Sequence, residues 1–310
     1  MRTRIVIICT FLLLITQGLF AQDYKDCYKL VAKANYALWN DNDPQRADSI
    51  YKRALKYKHK IPHYYLWASF AAGKMNTISK FRRYILQAAR LGLGLDYIEE
   101  NYPYIDSILI KEKLKGKYEK IYSHSVRRNI ETSCKIKELF TKDQLIRRGS
   151  HFIKNDTSSV QLYQEFFYTT DSNNFFELLT IINDSKFDMA DINYDAQFGL
   201  YIILSHVMTS DFALPYRDTI FSFLLNQVHN GILCPDNYAS SIDRYYMTKY
   251  RMNYYCQFYN DELPLFDAEN IDSRREEIGL KPLYFEFMQH NNVKNLPKEY
   301  LYDTNIVRQW

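Results

Sequence analysis

Apolar residues in the first part of the chain recur at steps of three and four, a spacing that predicts α-helices. Ala34, Ala37 and Leu38 follow this spacing, and the polar stretch NDNDP then interrupts it. A second helical run follows, formed by Ala47, Ile50, Tyr51, Ala54 and Leu55. Runs with the period of two that is typical of strands are hard to find. The sequence therefore predicts an all-α protein.

Small and aromatic residues alternate in the second of these runs, where Tyr51 lies between Ala47 and Ala54. This pattern resembles the second helix of a tetratricopeptide repeat, whose unit is roughly 34 residues long. Ala88 stands one such unit after Ala54, and the segment 62–93 has the pattern of a second helix–turn–helix copy, with its turn between Gly73 and Thr77. We expect residues 22–128 to form tetratricopeptide-like helical hairpins, closed by helices within 95–128.

The basic and polar stretch SHSVRRNIETS, residues 123–133, predicts a domain boundary. Beyond it, helical patterns are predicted over 136–147, 173–183, 196–208, 218–230 and 237–250. The stretch HFIKNDTSS between the first two of these patterns is predicted to be looser. We expect a second helical domain over residues 129–290 and an irregular C-terminal tail over residues 291–310, with short helical pieces before it.

The N-terminal segment MRTRIVIICTFLLLITQGLFAQ carries Arg2 and Arg4, then an apolar run, then small residues. This is the pattern of a secretory signal peptide, here assigned to residues 1–21, with cleavage after Gly18 or after Ala21. No later apolar run approaches the roughly 20 residues needed to span a bilayer. We expect an exported protein of the bacterial envelope, periplasmic or extracellular, with no transmembrane segment after the signal peptide.

The net charge, the length and the tyrosine content of the chain indicate more about its binding partner than about its fold. The 310 residues carry a formal charge of only +4, spread along the chain, which does not favour nucleic acid. A length of this order suggests about two domains. The 28 tyrosines are scattered through every segment, so packing explains them, with glycan binding by exposed tyrosines as an alternative.

Four cysteines follow the N-terminal segment: Cys27, Cys134, Cys234 and Cys256. In an oxidising compartment an even number permits disulfides, and Cys234 with Cys256 is the pair nearest in sequence. The alternative is that they remain buried thiols. No pair has the spacing of zinc ligands, so no metal is expected. No Gly-rich phosphate loop appears in the sequence, and no cofactor is expected.

The segment FTKDQLIRR places charge beside an apolar helical stripe. On a helix, Asp143 and Arg147 share a face with Ile136, Leu139 and Phe140. A buried charge needs a partner, so these two residues either pair with a neighbouring helix or line a cleft. Gln144 beside them is a candidate binding residue.

Three further places carry polar residues that need an explanation. His206 lies in the apolar run LYIILSHV, where a satisfied core histidine or a general base is possible. Asp243 and Arg244 follow Ile242 on a helical pattern. Asp171 and Asn173 stand near the start of a predicted helix, where capping competes with a binding role.

In this order, D-Q-x-x-R at 143–147, Asp171 with Asn173, His206, Asp243-Arg244 and R-R-x-x-x-G-L at 274–280 resemble an uncharacterised bacterial domain family. The family occurs in exported proteins, sometimes behind tetratricopeptide-like helices. Its penultimate motif has a glutamine and a glycine, whereas this chain has Asn253-Tyr254-Tyr255-Cys256, and its usual tryptophan-proline turn is replaced by KFDMAD. The resemblance covers about residues 135–283 and implies no particular reaction.

Two functions follow as hypotheses. The first is an exported interaction or scaffold protein whose helical repeats bind a protein or peptide. The second is a hydrolase-like enzyme in which His206 acts as base, Asp143 or Asp243 orients it, and Arg147 or Arg244 stabilises an anion. The oligomeric state is not indicated by the sequence.

Overall fold

The computed structural model of the chain describes residues 24–149, 157–257 and 263–289, together with 297 and 300. The predicted signal peptide and nearly all of the predicted tail lie outside the described residues. Within the described ranges, no helix is long and apolar enough to cross a bilayer.

The first half of the chain folds into helices that begin at sequence-encoded signals. Three of them open with a proline in the first turn, where its missing N–H is not needed. Asp43 caps the helix that begins at Pro44 by accepting a hydrogen bond of 2.9 Å from the Arg46 backbone amide. The helices are α1 (24–39), α2 (Pro44–Ala54), α3 (Pro62–Lys74), α4 (Ile78–Arg90), α5 (Leu95–Asn101), α6 (Pro103–Lys111) and α7 (Lys115–Ser125).

The second half is built on two long helices and a buried one. Asn193 caps the buried helix by accepting a hydrogen bond of 2.9 Å from the Ala196 amide. The helices are α8 (Ile130–Gly149), α9 (Thr157–Ile182), α10 (Tyr194–Val207), α11 (Arg217–His229), α12 (Pro235–Lys249), α13 (Ile271–Glu277) and α14 (Leu283–Gln289). In the part of the chain that is described, extended pairing is limited to one isolated bridge, between Asn253 and Leu265. The all-α prediction is confirmed.

Helices α3 and α4 pack closely as neighbours joined by a three-residue turn, 75–77. The alanines that the sequence pattern placed at helix contacts are fully buried, Ala47, Ala54 and Ala88 among them. Small residues there let helix backbones approach one another. The assignment of these hairpins to the tetratricopeptide class stays a prediction.

One predicted helix start differs from the structure, and the stretch predicted as a domain boundary is helical, although the boundary itself stays a prediction. The stretch at 123–133 is helical throughout, because α7 runs into a 3-10 turn (Val126–Asn129) and then directly into α8. Helix α9 begins at Thr157, well before the predicted start at 173. Its first part exposes Leu162 and Phe166, so apolar residues there do not form the one-sided stripe that reveals a helix.

One apolar core extends through both halves. The Tyr24 hydroxyl donates to the Leu233 carbonyl at 3.2 Å, and the Lys60 amide donates to the Gly231 carbonyl at 2.7 Å. The His63 ring lies 4.7 Å from the ring of Tyr194, centroid to centroid. The two halves are therefore packed together, and the spaces between them have defined walls.

The contact between α8 and α10 depends on Gly199, since a Cβ built there would lie 3.0 Å from Cβ of Phe140. We expect Gly199→Ala to lower the free energy of unfolding by about 1–3 kcal/mol, because a carbon next to the backbone has no room to move. Gly116 in α7 is the control: a Cβ there meets no described atom within 4 Å. Gly116→Ala should raise stability by about 1 kcal/mol through helix propensity.

Urea unfolding followed by circular dichroism measures both variants. A gain in Gly199→Ala equal to that of Gly116→Ala would show that the two helices are not in close contact.

Candidate functional site

A network of charged side chains joins α8, α9 and α10, with the carboxylate of Asp143 at its centre. Asp143 is fully buried. Nδ1 of His206 lies 3.0 Å from both of its oxygens, and Nη2 of Arg147 lies 3.2 Å from Oδ1. The side-chain Nε2 of Gln144 donates to Oδ2 at 2.8 Å. Each oxygen of this buried carboxylate thus faces donors, which burial of a charge requires.

Arg147 links this carboxylate to a second one on α9. Its Nη1 and Nη2 donate to the two oxygens of Asp171, each at 3.0 Å, in the bidentate geometry that suits guanidinium and carboxylate. Burial raises the pKa of Asp171, and the ion pair with Arg147 opposes that rise. The Arg147 guanidinium also lies over the Phe167 ring, 4.8 Å from its centroid.

Sequence spacing explains how one helix contributes so much of this network. Asp143 and Arg147 are one turn apart on α8, so both point at the same neighbours. Asn174, three residues after Asp171, is buried and donates to the Leu139 carbonyl at 3.1 Å. It is therefore Asn174, and not the exposed Asn173 named from the sequence, that fixes α9 against α8.

The structure does not bring Asp243 into this group. Its carboxylate is buried and accepts hydrogen bonds from the backbone amides of Tyr254 at 3.0 Å, Tyr255 at 2.5 Å and Gln257 at 2.5 Å. Burial raises the pKa of Asp243, and these amide hydrogen bonds oppose the rise. Burial raises the pKa of Tyr201 on α10, and the positive charge of Arg244 opposes that rise. Asp243 therefore fixes the loop after α12. Its oxygens accept hydrogen bonds from that loop and not from His206, so it does not take the orienting role proposed from the sequence.

The paired arginines of the R-R-x-x-x-G-L segment hold the same loop from the other side. Arg275 is fully buried, with Nη1 donating to the Tyr255 carbonyl and Nη2 donating to Oε2 of Glu286 at 3.0 Å. Arg274 donates to the Tyr254 carbonyl at 3.1 Å. Asp243 accepts hydrogen bonds from the backbone amides of this loop, and the two arginines donate hydrogen bonds to its carbonyls. Side chains therefore fix both the N–H groups and the C=O groups of the loop.

The predicted disulfide is absent. Cys234 and Cys256 are not joined by a disulfide, and neither are Cys27 and Cys134. Cys234 packs on the main core, whereas Cys256 belongs to a separate small core around Leu265 and Ile271. Proximity in sequence was misleading because α12 and the loop that follows it lie between the two cysteines.

Two open spaces adjoin these elements. A groove of about 430 Å³ runs between α8 and α9, with Lys142, Asn173 and Glu177 among its lining residues. A larger cleft, of about 870 Å³, lies where α4 and α7 face the segment 190–197. Its charged lining residues are Lys60, Arg90, Lys117, Lys120 and Asp191, and His124 lines it as well. His206 lines neither of these spaces.

This larger cleft was not predicted from the sequence. A signal was present, because Lys117, Lys120 and His124 recur at helical spacing on α7. Their counterpart, the capped turn that begins α10, is about seventy residues away in sequence, and only the fold brings the two together.

These contacts indicate what chemistry the Asp143–His206 pair and the larger cleft can perform. The Asp143–His206 pair has the geometry of an oriented base, yet among the described residues no serine, threonine or cysteine is hydrogen-bonded to His206. No group of three or more His, Cys, Asp and Glu side chains in the described ranges is placed to hold a metal ion. The cleft, by contrast, is open and positively charged.

We expect Arg147→Met to lower the free energy of unfolding by about 3–5 kcal/mol at neutral pH, because it leaves Asp171 buried without its guanidinium. Loss of the cation also raises the pKa of Asp171 further above its unfolded value. The folded variant then binds more protons than the unfolded chain, so its deficit should shrink as the pH falls to about 5.

Denaturant titrations at both pH values, with Lys142→Met as a control, test this. Lys142 pairs with Glu138 on the exposed face of α8, so its loss should cost about 0–1 kcal/mol at either pH. Equal effects of the two substitutions would contradict a buried, mutually neutralised network.

Comparison of the chain with protein-family models, with curated proteins and with solved structures gives no match.

Proposed function

We propose that this chain is an exported interaction protein that binds a protein or peptide in the cleft between its two halves. The observation that supports this proposal is the cleft itself. It is bounded by α4 and α7 of the first half and by residues 190–197 of the second, and its volume of about 870 Å³ falls within the range of ligand sites.

The walls of the cleft are fixed, which suits a binding site. The Tyr194 amide donates to the Gly92 carbonyl at 3.2 Å, joining the two walls directly. Gln197 donates to the carbonyls of Met189 at 3.0 Å and Ile192 at 3.2 Å, which holds the segment before α10 in place. A site that is already formed spends little binding free energy on ordering itself.

The buried charged residues support the same proposal because their hydrogen-bonding groups already have partners inside the protein. Asp143, Arg147, Asp171 and His206 satisfy one another across three helices, and Asp243 is occupied by backbone amides. The residues that looked most catalytic in the sequence therefore have structural partners.

Ser123→Trp tests the cleft as a binding site. Ser123 is an exposed cleft residue whose hydroxyl donates to the carbonyl three residues before it, at 3.1 Å. The indole should occupy part of the cleft and reduce capture of an envelope partner by at least about tenfold, because even one misplaced bulky group removes close packing at an interface. Quantitative mass spectrometry of captured envelope proteins, with the full chain as bait, measures the effect.

Ser107→Trp is the matched control, since Ser107 is also exposed and also donates to the carbonyl three residues before it, at 2.7 Å, but lies on α6 outside the cleft. The control should capture as the unaltered chain does. Loss of capture in Ser107→Trp alone would place the interaction on the helical hairpins instead, and loss in neither would contradict binding in the cleft.

One observation favours the second candidate, a hydrolase-like enzyme: His206 is hydrogen-bonded to the Asp143 carboxylate, and 13% of its side chain is accessible to solvent. An aspartate that orients a histidine is part of many acid–base sites. The histidine would serve as base, with water or a hydroxyl of the substrate as its proton donor.

The interaction proposal predicts that chromogenic ester and phosphodiester substrates are not hydrolysed above the level of a His206→Asn variant. Substitution of the base of a true acid–base site lowers the rate by about 10²–10⁴-fold. A difference of that size, in a variant whose circular dichroism and unfolding midpoint remain close to those of the unaltered chain, would establish the enzyme and refute the proposal.

A further inference from the structure

The cleft between the two halves is lined by basic side chains that have no acidic partner. Lys60, Arg90, Lys117 and Lys120 form no ion pair among the described residues, and the lining carboxylate is Asp191. Elsewhere in the described structure the lysines of α8 are paired, for example Lys137 with Asp195 at 2.7 Å. The whole chain carries a formal charge of only +4, so this concentration is local.

We infer that the ligand of this cleft is an acidic peptide segment, one whose carboxylates are spaced along an extended backbone. The inference rests on the proposed function and names the chemistry of the partner. Opposite charge across an interface speeds association and excludes partners of the wrong sign, which a partly open cleft needs more than a closed pocket does.

The spacing of the cations selects several separated anionic groups over one compact anion. Lys117 and Lys120 lie one turn apart on a face of α7 that His124 continues, and this face spans about 10 Å at 1.5 Å per residue. Arg90 and Lys60 come from two other places, the end of α4 and the loop before α3. A single phosphate is bound by donors that converge on it, whereas this arrangement offers contacts in series.

Apolar residues between the cations suit a peptide main chain and its shorter side chains. Leu91, Ile121 and Ile192 line the same cleft, and Ile192 is buried. Among the described lining residues there is no Phe, Tyr or Trp. Single-stranded nucleic acid is held by base stacking on aromatic rings as well as by charge, so the lining favours a peptide over an oligonucleotide.

The test uses the full chain and fluorescein-labelled hexaglutamate, with hexaglutamine as the uncharged probe, in fluorescence anisotropy at low ionic strength. Hexaglutamate should bind, hexaglutamine should bind at least about tenfold more weakly, and added salt should weaken hexaglutamate binding by screening. The double variant Lys117→Gln with Lys120→Gln should weaken hexaglutamate binding about fivefold or more, since each partly exposed contact contributes modestly.

The matched control is Lys186→Gln with Lys249→Gln, which removes the same charge from two exposed lysines outside the cleft. It should change the affinity by less than about twofold. Equal loss in the two double variants would overturn the inference, because binding would then follow net charge alone. Equal affinity for hexaglutamine would also overturn it, and so would displacement of hexaglutamate by inorganic phosphate or by a short oligonucleotide at lower concentration than by unlabelled peptide.

The two proposals fail in different ways. If Ser123→Trp abolishes partner capture while hexaglutamate does not bind, the cleft is a binding site and the acidic-peptide assignment is wrong. If Ser123→Trp leaves capture unchanged, the proposed function fails, whatever the peptide does.

Discussion

The carboxylate of Asp143 has no exposed surface, and the second half of the molecule is organised around neutralising it. Two cationic or polar partners come from α8 itself, and His206 comes from α10. Arg147 extends the same network to Asp171 on α9. Three helices are thereby held in one relative register, because any slip would leave a charge buried without a partner, at a cost of several kcal/mol.

A second buried carboxylate organises the irregular part of the chain by the same rule. The described part of the loop after α12 buries Tyr255, Cys256 and Leu265 but forms no regular ladder, so its amides need acceptors from elsewhere. Asp243 supplies them, while Arg274 and Arg275 donate to the loop's carbonyls. The loop is thus positioned by side chains, and the motif residues that looked catalytic in the sequence have this structural use.

The placement of charge divides the molecule into two kinds of site. The buried charges described above are paired with other charges or with backbone groups. Charges around the cleft between the halves are left to solvent or to a partner, and among the described lining residues Asp191 is the acidic one, facing lysines and an arginine. Binding free energy is available only at the second kind of site, since the donors of the first kind already have acceptors.

Helical periodicity by itself determined the all-α fold, most helix positions and the need for Asp143 and Arg147 to meet partners, because a period of 3.6 residues is a local property. It missed the first part of α9, where exposed Leu162 and Phe166 hide the stripe, and it did not indicate the buried contact that Asn174 makes with α8. Tertiary structure alone decided that His206 and Asp171 are those partners, that Asp243 belongs to a different network, and that Cys234 and Cys256 lie in separate cores. It also decided that basic residues of α7 face the start of α10 across a cleft. Those outcomes depend on contacts between residues far apart in sequence, which local spacing does not encode.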